Sequence, residues 1–231
     1  ATYEGDLAAA AGVPFRLGRE GRNEYNEPMA GVIYRAWPHE EPGPGSTGLA
    51  DNAIQSYNYR VCLTDDPANF VPIPKPATYN REDYASIVDD ILNDRFAGST
   101  SDEVELDGIG RVVNIVHLPN RKTDANNQHL AFVSTDLPEE NWPWPTSGWD
   151  WRDRFADRLR DYILGLLWFA QNDEALPAQF RKNCAKWGLA ADEYTDNGNF
   201  PRQVYVREGR RILGEYTFSA LDATPVAPGE R

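Results

Sequence analysis

The sequence predicts an α+β fold. Three observations predict it. The strand-like segments are short and scattered. The helical patterns differ widely in length. Strands and helices do not alternate in the regular way that builds a parallel sheet. The 231 residues include 17 Pro and 18 Gly, so loops separate most elements. Hydrophobic residues make up 41% and aromatics 12%, enough to bury a core.

The elements follow in chain order. "DLAAAAG" predicts a short helix, with Asp6 capping its first turn and Gly12 ending it in the left-handed conformation. The segment after it, to residue 36, is charged and poor in strand signals. Residues 37–51 form a Pro/Gly/Ser loop. "AIQSYNYRVCLT" alternates as a strand, with Tyr57, Tyr59, Val61 and Leu63 on one side. Ile54, Ser56, Asn58, Arg60 and Cys62 take the other side. The prolines of "DDPANFVPIPKPATYN" exclude regular structure. Asn80 and Asp83 resemble a capping box for a helix through "REDYASIVDDILNDRF", with Tyr84, Ile87, Val88, Ile91 and Leu92 on its apolar face.

"GRVVNIVHL" predicts a short strand, and "PNRKTDANNQ" a polar loop after it. "STDLPEENWPWPTSGWDW" is irregular. The strongest helix spans about Trp149 to Asn172. Its face is Trp151, Phe155, Leu159, Tyr162, Ile163, Leu166, Leu167 and Ala170, widened by Trp168 and Phe169 toward its C-terminal half. A shorter helix follows Pro177, about Ala178 to Trp187. "RQVYVRE" is a strand, or a link into the helix-like "EGRRILGEYTFS".

The formal net charge of −13 argues against a general nucleic-acid surface and against anionic membranes. Local Arg clusters can still meet a small anion. No apolar run approaches the ~20 residues that cross a bilayer. The two cysteines, Cys62 and Cys184, have no metal-ligand spacing and are expected to be free thiols. No metal site is predicted.

Several groups of residues invite chemistry. Tyr59 or Arg60 can face a substrate cleft, or pack within a sheet. Asn120, Lys122, Asp124, Asn126 and Asn127 can orient a hydroxylated substrate, or form a solvated turn. Arg207 and Arg211 are four apart and would share a face on a helix, where they could hold an anion or pair with acidic neighbours. His117 and His129 flank the polar loop and could form a proton-transfer pair. The tryptophans of "ENWPWPTSGWDW" can stack on sugars, or plug loop to helix.

Five blocks, in order, resemble one family: "ATYEGDLAAAAGVPFRLGRE", "QSYNYRVCLTDDPAN", "LPNRKTDANN", "LLWFAQND" and "WGLAADEYTDNGNFPRQVYVREGRRILGEY". They are similar to the middle section of the bacterial FAD-dependent oxidoreductases, some of which carry a xanthan lyase label. The resemblance implies a fold like that of glutathione reductase. Residues 1–36 would be the end of an FAD-binding segment and a crossover, and residues 37–231 a substrate-side α+β domain. The rest of the FAD domain would lie outside this chain, and the chain alone would be inactive.

The residues agree with this in one respect. No G-x-G-x-x-G follows a strand, and "GPGSTG" at Gly43 to Gly48 has the wrong spacing. The resemblance further implies FAD as cofactor and hydride transfer with a small-molecule substrate, anionic or sugar-like. Glu4, Gly5 and Asp6 would lie near the cofactor. Arg207, Arg211, Lys122, Asn126 and Tyr59 would serve the substrate. It implies Gly at the position of Arg121 and His at that of Arg202. The alternative is a carbohydrate-binding or carbohydrate-cleaving module built on the Trp-rich loop.

Overall fold

The computed structural model describes residues 5–27, 30–31, 46–97, 107–223 and 225. The chain folds as two compact units. One joins Ala1–Gln55 with Arg207–Arg231, and the other is Ser56–Val206. Much of the predicted 37–51 loop lies outside the described residues.

In the first unit, "DLAAA" forms α1, Asp6–Ala10. Gly12 ends it at φ +76°, as its position after an Ala run predicts. The predicted cap differs. Gly5 is the N-cap residue, at φ 68°, and the helix start has no side-chain cap. The Asp6 carboxylate binds Arg210 instead. A charged partner outcompetes a backbone amide for the same oxygen. Two short strands pair antiparallel, β1 Phe15–Arg16 and β7 Arg211–Ile212.

Residues 207–211 are therefore not helical. With residues 207–210 irregular and Arg211 in β7, the i, i+4 stacking of a helix is absent and the predicted helical face of Arg207 and Arg211 does not form.

The second unit is built on a five-stranded sheet of order β3-β6-β2-β5-β4. Its strands are β2 Leu63–Thr64, β3 Phe70–Val71, β4 Val113–Leu118, β5 Lys122–Asn127 and β6 Gly188–Ala190. Every pairing is antiparallel. The segment before β2 joins the sheet through single bridges, Val61 to Ala125 and Asn58 to Tyr205. Tyr57, Tyr59, Val61 and Leu63 are all buried, as the alternation predicts, but Ile54 and Asn58 on the other side are buried too, and of the predicted strand only Leu63–Thr64 forms one.

β5 is the main departure from expectation. "KTDANN" is polar, yet it pairs with β4 over six residue pairs, from Val113↔Asn127 to Leu118↔Lys122. Its inward residues Thr123 and Ala125 are small and buried. The tip at Pro119–Arg121 turns on two left-handed residues, Asn120 at φ 62° and Arg121 at φ 56°. That conformation is where glycine is most at ease, in keeping with the Gly implied at position 121.

The long helix α3, Trp149–Asn172, has the predicted bounds. Its last two and a half turns are buried nearly all round. Tyr59 Oη lies 3.5 Å from the Ala156 carbonyl, and its ring packs on Phe200 at 5.0 Å. One face of the sheet is thereby covered. The helix predicted after Asn80 is broken. Asn80 does cap, accepting from the Glu82 amide at 3.3 Å and donating to Asp83 at 2.9 Å. A 3-10 turn at Arg81–Asp83 follows, then α2 at Ser86–Leu92. Arg111, 5% exposed, ties the end of α2 down by donating to the Asp90 carbonyl at 2.9 Å and the Arg95 carbonyl at 2.6 Å. The helix after Pro177 is α4, Ala178–Cys184. Both cysteines are free.

Arginine forks hold several carboxylates. Arg81 binds Asp173 at 2.6 and 3.0 Å, Arg19 binds Asp51, and Arg121 binds Asp65 at 2.9 Å. Each fork holds its carboxyl below the usual carboxylate range. A carboxyl whose folded value is depressed adds stability above its unfolded value, about 4, and loses it as pH falls through the folded value. The melting temperature should stay level through neutral pH and drop below about pH 4. Asp173→Asn should blunt that drop. Thermal melts that rise on acidification would contradict this assignment.

Candidate functional site

The β4–β5 end of the sheet presents an open and largely polar face, assembled by strand alternation, while β2 and β6 are buried on both sides. On β5, Lys122, Asp124 and Asn126 point to the side opposite buried Thr123 and Ala125. The β4 partners on that side are Asn114 opposite Asn126, Val116 opposite Asp124 and Leu118 opposite Lys122. Val116 is 49% and Leu118 45% exposed. On the other flank, the Val61–Ala125 bridge and the Thr64–Lys122 pair put Arg60 opposite Asn126. Arg60 forks onto Asp124, with Nε 2.9 Å from Oδ1 and a second bond from the terminal nitrogen. Its guanidinium lies over the ring of Tyr205, 5.1 Å from the centroid. Tyr205 is half-exposed.

Lys122 sits at the edge of this face. Its ammonium binds Asp192 at 2.7 Å and also Glu193. Those two bonds raise its pKa, so it stays charged. It is a poor proton donor or acceptor near neutrality. Glu193 precedes Tyr194, which has φ 48°. Asn199 holds that turn by donating to the Ala191 carbonyl at 2.9 Å and the Glu193 carbonyl at 3.0 Å.

The expected site residues divide as follows. Lys122 and Asn126 share the open face. Tyr59 does not: it is 4% exposed, on the α3 side of the sheet, and burial pushes its hydroxyl up to about 12. The alternation left Tyr59 and Arg60 as candidates for the cleft, and only Arg60 faces outward. Arg207 and Arg211 belong to the first unit. Arg207 is half-buried. Arg211 is taken up by Glu208, Glu20 and the Gly18 carbonyl.

Gly5 and Asp6 also have local explanations. A Cβ on Gly5 would sit 3.2 Å from Arg210 Cβ, and Asp6 pairs with Arg210. Glu4 lies outside the described residues. His117 and His129 do not meet. His117 is opposite Thr123 near the tip of the hairpin, and His129 follows its far end, about 20 Å along the strand. In the Trp-rich segment, Trp144 packs on Tyr57 and Phe155, and Trp151 stacks on Phe155 at 5.4 Å.

Asn114, Tyr205 and the Asp192–Glu193 pair also belong to the face or its edge, yet they stand outside the residues singled out from sequence. A period-two polar pattern in "KTDANN", with small residues between, is the signal that could have found the face.

The family of FAD dependent oxidoreductases matches residues 1–228. This chain belongs to that family. FAD is therefore its cofactor and oxidoreduction its general role. No curated protein and no solved structure gives a significant match. In the described residues the flavoprotein chain does not form a cradle for the nucleotide. Such a cradle needs parallel strands around a Gly-rich turn that opens a helix. Here every pairing is antiparallel, and α1 has five residues and an aspartate already engaged by Arg210. We expect this chain, purified alone, to show no stoichiometric flavin absorbance. Retained flavin would contradict that reading of its residues.

Proposed function

We propose that this chain is the substrate-side part of an FAD-dependent oxidoreductase that exchanges a hydride between an organic substrate and FAD. Residues 1–36 would belong with the flavin-binding segment and the remainder with the substrate. One observation carries the reading: the β4–β5 hairpin, with Arg60 beside it, is open and largely polar on the side opposite buried Thr123 and Ala125. A polar sheet face that only met solvent would need no matched array of guanidinium, carboxylate and amides. The bound flavin would supply the redox chemistry. The chain's residues would bind and orient the substrate. Arg60, fixed by Asp124 and by the Tyr205 ring, offers directional donors, and Asn126 lies opposite it. Lys122 would shape the edge of the site as a fixed charge. Arg211, committed to Glu20 and Glu208, would be structural.

The test is anaerobic reduction of FAD, by a panel of alcohols, amines and sugars, in the FAD-loaded oxidoreductase to which this chain is proposed to belong. Arg60→Met should lower the rate of flavin bleaching about tenfold or more, the worth of a lost charge-assisted bond, with FAD content unchanged. An unaltered rate would remove this face from the reaction.

A further inference from the structure

The open face carries two side-chain amides that no described residue engages. The side-chain amides of Asn114 and Asn126 lie directly opposite each other on β4 and β5, both half-buried. Neither side chain has a hydrogen-bond partner among the described residues. Their charged neighbours are ion-paired. Arg60 is forked by Asp124, and Lys122 is held by Asp192 and Glu193. The two cations of the face therefore face three carboxylates. An anionic ligand would have to displace a carboxylate and would meet residual negative charge. On the far side of Arg60 lies the half-exposed ring of Tyr205, a flat apolar surface.

We infer that this face takes a neutral polyhydroxylated molecule, a sugar or polyol. The inference rests on the proposed function and narrows its substrate class. A hydroxyl both donates and accepts, so a row of them can satisfy the NH₂ and the C=O of each amide at once. The carboxylate oxygens of Asp124 can accept from a further hydroxyl. The C–H face of a sugar packs on the tyrosine ring. The Trp-rich segment is given no part in this: Trp144 packs on Phe155 of α3 and on Tyr57. A plain dicarboxylate would fit worst, and a sugar acid less well than its neutral parent.

The amides themselves give the readout. The chain would be titrated with D-glucose, D-mannitol, D-glucuronate and succinate while the side-chain NH₂ signals of Asn114 and Asn126 are followed by ¹H–¹⁵N NMR. We expect saturable shifts of both signals with a neutral polyol. Glucuronate should bind more weakly and succinate not at all. Asn126→Leu should weaken polyol binding about tenfold, the worth of one or two lost hydrogen bonds. Asn126→Asp keeps the shape and should preserve folding while weakening glucuronate further. Absence of shifts with both neutral probes, or tighter binding of the carboxylates, would overturn the inference.

Flavin bleaching separates the two ideas. If polyols fail to bind but Arg60→Met still slows bleaching by another substrate, the substrate class is wrong and the functional reading stands. If polyols bind here but Arg60→Met leaves bleaching unchanged, the face is a polyol site away from the reaction.

Discussion

Arg152→Ala is expected to destabilise the second unit by about 4 kcal/mol, lowering its melting temperature by roughly 10 °C. Arg152 is 2% exposed, in the first turn of α3. Its Nε donates to the Trp144 carbonyl at 3.0 Å and a terminal nitrogen to the Pro145 carbonyl at 3.3 Å. The guanidinium also lies over Trp144 and Trp149, at 5.5 and 5.1 Å. Truncation removes both bonds: the Pro145 carbonyl loses its donor, at about 1–3 kcal/mol, the Trp144 carbonyl keeps the Ser147 amide at 3.3 Å, and a cavity opens under the tryptophans. Lysine keeps the charge but not the fork, so Arg152→Lys should recover only part of the loss. Arg154→Ala, two residues on and exposed, should change stability by less than about 0.5 kcal/mol. Equal melting temperatures for the Arg152 and Arg154 variants would refute the clamp.

Gly165→Ala tests packing against propensity. Alanine is the better helix former by about 1 kcal/mol, and Gly165 lies deep within α3. A Cβ there would sit 2.3 Å from the Tyr84 hydroxyl oxygen, 3.0 Å from its ring carbon and 3.3 Å from Tyr79. Tyr84 is 1% exposed and donates to the Tyr162 carbonyl at 2.9 Å, so it has little room to move. Overpacking costs about 1–3 kcal/mol, and a broken buried hydrogen bond adds about 1–3. The clash outweighs the propensity, and a net loss of about 2 kcal/mol is expected. Tyr84→Phe in the Gly165→Ala background should restore part of it, because the nearest atom is removed. A stabilised Gly165→Ala protein would mean that the helix lies farther from Tyr84.

The same contrast between local pattern and tertiary partner governs what could be read from the sequence. α3 was legible to its end residues because eight apolar positions recur on one face. Tyr57, Tyr59, Val61 and Leu63 were legible because alternation is a property of the strand alone. β5 was not. Its polarity resembles a loop, and it becomes a strand only because β4 supplies the hydrogen bonds and because Thr123 and Ala125 are small enough to sit beneath Val61 and Leu63. The helix expected through Arg211 failed for a related reason: β1 claims that segment as a partner strand. Asp6 could not be recognised as Arg210's partner, since 204 residues separate them. Lys122 and Asn126 were found as members of a polar cluster. The face they share, with Arg60 and Asn114, depends on register, which the sequence does not display.

The central claim is that substrate approaches this face. Val116→Cys offers a direct measurement, since Val116 is half-exposed on the face and Lys182, exposed on α4, supplies a matched control as Lys182→Cys. Each variant, made in the FAD-loaded oxidoreductase of which this chain is proposed to be the substrate-side part, would be coupled to a bulky maleimide, beside the unsubstituted protein treated alike. The account predicts that the label at position 116 abolishes flavin reduction by substrate while the label at position 182 leaves it intact. Full turnover with position 116 labelled would contradict it.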